Sequence, residues 1–182
     1  KLYVSGDIGC YSLGAAPPLS AMDSIVCMGA SVSALHGFNI ARGGESAKRA
    51  VAVIGDSTFM HSGMTGLCDI AYNKGISTVL ILDNRITGMT GHQPNPLTGR
   101  TIKGEPTVEA DLELLCKAFG IKRVRTVDPF DLESCKTALE EELAAAEPSV
   151  IIVKRACALL KEVKPLPPLK ILPDKCKKCG AC

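Results

Sequence analysis

Two apolar runs close on oxygen-bearing side chains. VAVIGD, at residues 51–56, ends in Asp56, and TVLILDN, at residues 78–84, ends in Asp83 and Asn84. In open α/β sheets ligands gather outside the carboxyl ends of the strands. A carboxylate and an amide oxygen are hard donors. They suit Mg²⁺, which takes few protein ligands and fills its shell with phosphate and water. Gly55 permits a sharp turn, Ser57 and Thr58 add hydroxyls, and a following helix would offer N–H groups to an anion. The pattern therefore points to a metal–diphosphate site. Taken singly, each residue reads equally as a turn cap; the pair in this setting favours the metal.

A second set of reactive residues lies at the end of the chain. Cys176, Cys179 and Cys182 form C-x₂-C-x₂-C, the spacing of the first three ligands of a bacterial ferredoxin run. Zinc is the alternative, though it more often uses two separated pairs. A fourth cysteine does not follow, so the chain is expected to be a piece of a longer protein, with the cluster complete only there. The other six of the nine cysteines (Cys10, Cys27, Cys68, Cys116, Cys135 and Cys157) are scattered. An odd total without a framework argues against a secreted disulfide scaffold and for a reducing cytoplasm.

These groups need a frame. The 182 residues are 46% hydrophobic but only 4% aromatic, with no Trp. That describes an aliphatic core of the kind buried strands make. The net charge of +2 gives nucleic acid little to hold, and no apolar run is long enough to span a bilayer. A strand at residues 2–6 runs into a glycine-bearing loop. An extended piece near residue 24 becomes a helix at about residues 29–41, ended by Gly43 and Gly44. The runs at 49–56 and 76–84 are buried strands. Between them Ser62 is placed to cap a helix that Gly75 ends. Strand, helix and strand at this spacing make a βαβ unit with a parallel sheet. A long Gly/Pro/Thr-rich loop follows, then two helix–strand pairs. One domain is expected over residues 1–160, a proline-rich extended linker over 161–175, and the cysteine motif over 176–182.

With GDS (residues 55–57) answered by DN (residues 83–84) after a helix and a strand, the chain resembles enzymes that bind thiamine diphosphate (TPP). Their fingerprint opens on Gly-Asp-Gly and closes on Asn-Asn; here Ser57 and Asp83 depart from it. GDIGCY (6–11), CMGAS with HGF (27–38), GDSTFMHSG (55–63) and DNRITGMTGHQ (83–93), in that order, are similar to the 2-oxoacid:ferredoxin oxidoreductases, and within them to the TPP-binding part of the indolepyruvate branch. The resemblance covers nearly the whole chain. It implies a three-layer parallel-sheet TPP-binding fold with the start of a ferredoxin-like segment behind it. It implies that Mg²⁺ is held by Asp56, Asn84 and the Ile86 carbonyl. Gly9 and Cys10 would lie near the TPP rings, Met28, Gly29 and Ala30 near the aminopyrimidine, and Met89 and Thr90 beside the diphosphate, with Gly55, Ser57 and Thr58 at the cofactor as well.

The family's reaction is the oxidative decarboxylation of a 2-oxoacid, here an aryl pyruvate. Coenzyme A takes the acyl group, and electrons pass through 4Fe-4S clusters to ferredoxin. The Glu that activates the cofactor in such enzymes has no counterpart, since Glu45 and Glu105 lie in surface-type loops. The activating group is expected from a pyrimidine-binding domain, with a second subunit also required, so this chain alone should be inactive. His36, His61 and His92 flank the motifs without a clear role. The alternative is a non-oxidative TPP-dependent decarboxylase or synthase, which would not need the cysteines. A nucleotide-binding regulatory domain lacks its glycine pattern, and a simple electron carrier would not need the α/β portion.

Overall fold

The computed structural model describes residues 2–164, 167 and 170–180. Six parallel strands form one sheet: β1 (Tyr3–Gly6), β2 (Ser24–Ile25), β3 (Ala50–Gly55), β4 (Thr78–Asp83), β5 (Arg123–Val127) and β6 (Ser149–Lys154), in the order β2-β1-β3-β4-β6-β5. The helices are α1 (Ala30–Arg42), α2 (Asp56–Thr58), α3 (Met64–Tyr72), α4 (Leu112–Ala118) and α5 (Leu132–Ala144).

Side chains alternate across a strand, and both faces of this sheet are covered. One face carries Ala50, Ala52, Ile54, Val79, Ile81, Val150 and Ile152. These pack on Val32 and Leu35 of α1, Leu67 and Ile70 of α3, and Leu112 and Cys116 of α4. The other carries Val127, Ile151 and Val153 against Ala138 and Leu139 of α5. This is the three-layer parallel sheet that the sequence predicts. Helices α4 and α5 start where Asp111 and Asp131 accept from the N–H groups of Leu114 and Ser134, which are ordinary side-chain caps. At the far end of the sheet from the candidate ligands, the buried Glu142 pairs with Arg123 and Arg125, each at 2.7 Å. That network serves the fold.

One expected boundary is wrong. Ser62 caps nothing: the helical run begins six residues earlier, at Asp56. It passes from α2 through a π turn at Phe59–Gly63 into α3. A π turn widens the helix by one residue and is common at functional sites. Here it turns Ser62 outward, so that its hydroxyl donates to the Met28 carbonyl at 3.3 Å. Gly75 does close α3 as expected, donating to the Ile70 carbonyl at 2.8 Å. Within the span read as extended linker, Pro173–Lys175 forms one 3-10 turn.

Candidate functional site

Strands β1, β3 and β4 are neighbours, so their carboxyl ends bring together three loops that are distant in sequence. Asp7 follows β1, Asp56 follows β3, and Asn84 follows β4. The loops enclose a cavity of about 260 Å³. Gly55, Asp56, Ser57, Thr58, Asn84 and Ile86 are among its lining, as are Gly9, Cys10, Met28, Met89 and Thr90. Gly29 and Ala30, also expected at the cofactor, do not reach it. They stand behind Met28, where Gly29 donates its N–H to Asp7.

Asp56 is 2% exposed. Its Oδ1 accepts from the Ser57 N–H at 2.8 Å, and its Oδ2 accepts from Asn95 Nδ2 at 3.2 Å. Both donors are neutral. Burial outweighs them and pushes the carboxyl pKa up to about 6, the direction desolvation of a charge demands. At neutral pH the group is still ionised, a buried anion beside an open cavity. Asn84 Oδ1 accepts from the Ile86 N–H at 3.2 Å, closing a tight turn in which Arg85 has φ +64. That turn brings Ile86 back to the cavity. Asp83, 3% exposed, supports the turn by accepting from the Arg85 N–H at 3.2 Å. Burial raises its pKa, and Arg85 and Lys154 oppose that shift. In its donor chemistry the set Asp56 carboxylate, Asn84 amide oxygen and Ile86 carbonyl fits a small hard cation.

Four residues of the site escaped the sequence reading. Thr87 Oγ1 donates to Ser57 Oγ at 2.7 Å and fastens the loop after β4 to the start of α2. Asn95 supplies the donor to Asp56. Tyr11 sends its ring across the cavity floor: its hydroxyl accepts from the Gly55 N–H at 2.9 Å and donates to the Ile8 carbonyl at 3.2 Å. Asp7 is fully buried and accepts three backbone N–H bonds. Only Asp7 had a local signal. GDIG repeats, at the end of β1, the Gly-Asp pattern that drew attention to GDST.

The other candidates lie outside the cavity. His36 is buried between α1 and α3, with Nε2 3.6 Å from Asp69. His61 leans on Ser62, and His92 sits in an exposed turn with φ +61. Glu45 pairs with Lys48 at the surface, and Glu105 is exposed. Cys176 and Cys179 are exposed free thiols, whereas Cys182 lies outside the described residues. Among the described residues no three His, Cys, Asp or Glu side chains group as a metal site. A larger cavity of about 340 Å³ lies beyond β4, lined in part by Asp83, Arg85, Glu109 and Lys154. Arg85 is already paired with Glu109 at 2.5 Å, so these charges largely answer one another.

Comparison with known proteins gives the family. Residues 7–153 match the family described as thiamine pyrophosphate enzyme, C-terminal TPP binding domain. Indolepyruvate oxidoreductase subunit IorA of Pyrococcus horikoshii is 37% identical over 192 residues, covering 97% of this chain and 30% of that protein. The subunit of the same name from Methanothermobacter thermautotrophicus is 38% identical over 180 residues, covering 97% and 28%. The chain thus spans about 30% of the length of the curated relatives it matches. Among solved structures, 2-oxoglutarate:ferredoxin oxidoreductase from Magnetococcus marinus shares the fold. The TM-score is 0.75 at 18% identity, over 90% of this chain and 57% of that one. Benzoylformate decarboxylase from Polynucleobacter necessarius is more distant, with a TM-score of 0.59 at 18% identity over 91% and 31%. The match begins at Asp7, directly after β1, and runs into the last residues of β6, so it takes in the loops after β1, β3 and β4 that line the cavity; on it the chain belongs to the family of thiamine pyrophosphate enzyme C-terminal TPP binding domains.

Proposed function

We propose that this chain holds Mg²⁺ and the diphosphate of TPP in a 2-oxoacid:ferredoxin oxidoreductase acting on aryl pyruvates of the indolepyruvate kind. One observation carries the reading. Asp56 is a buried carboxylate with only neutral donors, and it shares a cavity with Asn84 and Ile86. A divalent cation there would neutralise the charge, with the Asn84 oxygen and the Ile86 carbonyl completing the protein share. Ser57, Thr58 and Thr90 would meet the diphosphate, and Gly55 would leave it room. Gly9, Cys10 and Met28 would meet the rings, with Gly29 and Ala30 shaping that wall from behind, and Met89 would lie beside the diphosphate.

Bound TPP supplies an electron sink for decarboxylating a 2-oxoacid. The chain's own part is to bind, orient and shield it. Met28 and Met89 line the cavity yet remain 48% exposed, which fits a site finished by another wall. We assign that wall to a pyrimidine-binding domain carrying the activating Glu, with a second subunit completing the enzyme. The indolepyruvate preference follows the names of the relatives. Coenzyme A as acyl acceptor accords with the solved oxidoreductase, whose structure holds coenzyme A and succinyl-CoA. Ferredoxin as electron acceptor accords with Cys176, Cys179 and Cys182, three ligands of a 4Fe-4S cluster completed in the longer protein. Those cysteines also favour this reading over a non-oxidative decarboxylase. The cofactor domain would end near residue 160, with 161–175 as linker. A cytoplasmic setting fits the free thiols, and among the described residues no helix is long and apolar enough to cross a membrane.

The test is calorimetric binding of TPP to the intact protein, stripped with EDTA and reloaded with Mg²⁺. Wild type should bind only with the metal, and Asp56→Ala and Asn84→Ala should each abolish the metal-dependent part. Unchanged Mg²⁺-dependent binding in Asp56→Ala refutes the assignment.

A further inference from the structure

We infer that Asp7 is a positioning residue that sets the wall for the organic part of the cofactor, separately from the metal end; this rests on the TPP reading above. Asp7 follows β1 and has no exposed surface. Its Oδ1 accepts from the Ile8 N–H and the Gly29 N–H, both at 2.8 Å, and its Oδ2 accepts from the Ser31 N–H at 2.9 Å. One carboxylate thus joins two segments. The first is the Ile8–Gly9–Cys10 loop, and the second is the turn that carries Met28 into α1. Ile8, Gly9, Cys10 and Met28 all line the cavity, and the Ile8 carbonyl also accepts from Thr58 Oγ1 at 3.3 Å.

Two consequences follow from the chemistry. Asp7 does not line the cavity and has no exposed surface, so it is not placed to reach a cation there despite its Gly-Asp setting. The N-terminal N–H groups of α1, ordinarily an attraction for phosphate, are also answered by a protein carboxylate. An anionic ligand would therefore find little attraction there and would be left to the end where Asp56 and Asn84 would hold a cation. Gly29 lies tight against the start of the neighbouring helix. Its φ is +83, and a Cβ there would fall 2.0 Å from Ser62 Oγ, so the turn packs closely on the π turn with no room for a side chain. The carboxylate is the tie that fixes its distance from Cys10.

The intact protein separates the two ends of the cavity with two probes, inorganic diphosphate and TPP, each in the presence of Mg²⁺. Asp7→Asn keeps the shape but sets an amide NH₂ against one of three N–H donors. It should raise the Kd for TPP about tenfold or more, the cost of breaking a charge-assisted bond. Binding of inorganic diphosphate should stay within about twofold. Hydrogen exchange of the Gly29 and Ser31 amides should quicken in the ligand-free protein. Val150→Ala, buried in β6 away from the cavity, is the comparator for lost stability alone and should move neither Kd. Should Asp7→Asn fail to fold, Asp7→Ser, which keeps one acceptor, is read in the same way. Equal weakening of both probes, or unchanged TPP binding, overturns the inference. Wild-type protein that binds neither probe overturns the cofactor reading, and this inference with it.

Discussion

Asp56→Asn should make the metal-free chain more stable while removing its capacity to hold Mg²⁺. Burial lifts the Asp56 pKa from 3.8 to about 6. A carboxyl whose folded pKa lies above its unfolded one favours folding while it is protonated. That support is complete below about pH 4 and is lost as pH rises through about 6. At pH 8 the ionised group costs the fold about 3 kcal/mol, at about 1.4 kcal/mol per pKa unit. Asparagine has no charge to desolvate. It has one oxygen for two donors, the Ser57 N–H and Asn95 Nδ2, so one bond of about 1 kcal/mol is lost. The net gain is about 2 kcal/mol, or a rise in Tm of about 4–8 °C for a domain of this size. Thermal melts in EDTA at pH 8 and pH 4.5 measure it. Between these the difference should shrink by about 2 kcal/mol, because wild type regains its proton. Millimolar Mg²⁺ and TPP should then raise the wild-type Tm only, since a ligand stabilises the state that binds it. A folded Asp56→Asn chain that melts at or below wild type at pH 8 in EDTA would refute the reasoning, as would a difference that ignores pH.

Two further substitutions probe the frame of the site. Tyr11→Phe removes the hydroxyl between the Gly55 N–H and the Ile8 carbonyl. Burial holds that phenol well above its ordinary pKa, so it is a permanent donor. Its loss should cost about 1–2 kcal/mol in urea unfolding and weaken Mg²⁺ binding at the adjoining Asp56; unaltered stability would show that the bridge contributes nothing. Gly29→Ala meets both a left-handed φ of +83 and Ser62 Cβ at 2.7 Å. Strain and overpacking together should cost about 2–4 kcal/mol. Adding Ser62→Gly should restore part of this in the same assay, and no recovery would mean that the clash is not with Ser62.

The order of strands and helices, the parallel sheet and the placing of Asp56 and Asn84 at the ends of neighbouring strands were all legible from local pattern. Apolar runs of strand length with Gly-Asp and Asp-Asn at their ends carry their meaning within a few residues. The start of the helix after β3 was not legible in this way. Ser62 has the chemistry of a cap, but the run begins at Asp56 because β3 ends there, and the π turn absorbs the extra residue. His36 had the chemistry of a site residue, and packing put it between two helices instead.

Sequence by itself determined which oxygens stand at the ends of β3 and β4, because a strand end is a local event. Tertiary structure alone decided that β1 lies beside β3, so that Tyr11 reaches Gly55, that the start of α1 returns to the end of β1, so that Asp7 faces Gly29 and Ser31, and that the loop after β4 folds over the end of β3, so that Thr87 and Asn95 close on Ser57 and Asp56. Those bonds join residues 22 to 44 positions apart. No period or spacing encodes such contacts; the sheet order creates them.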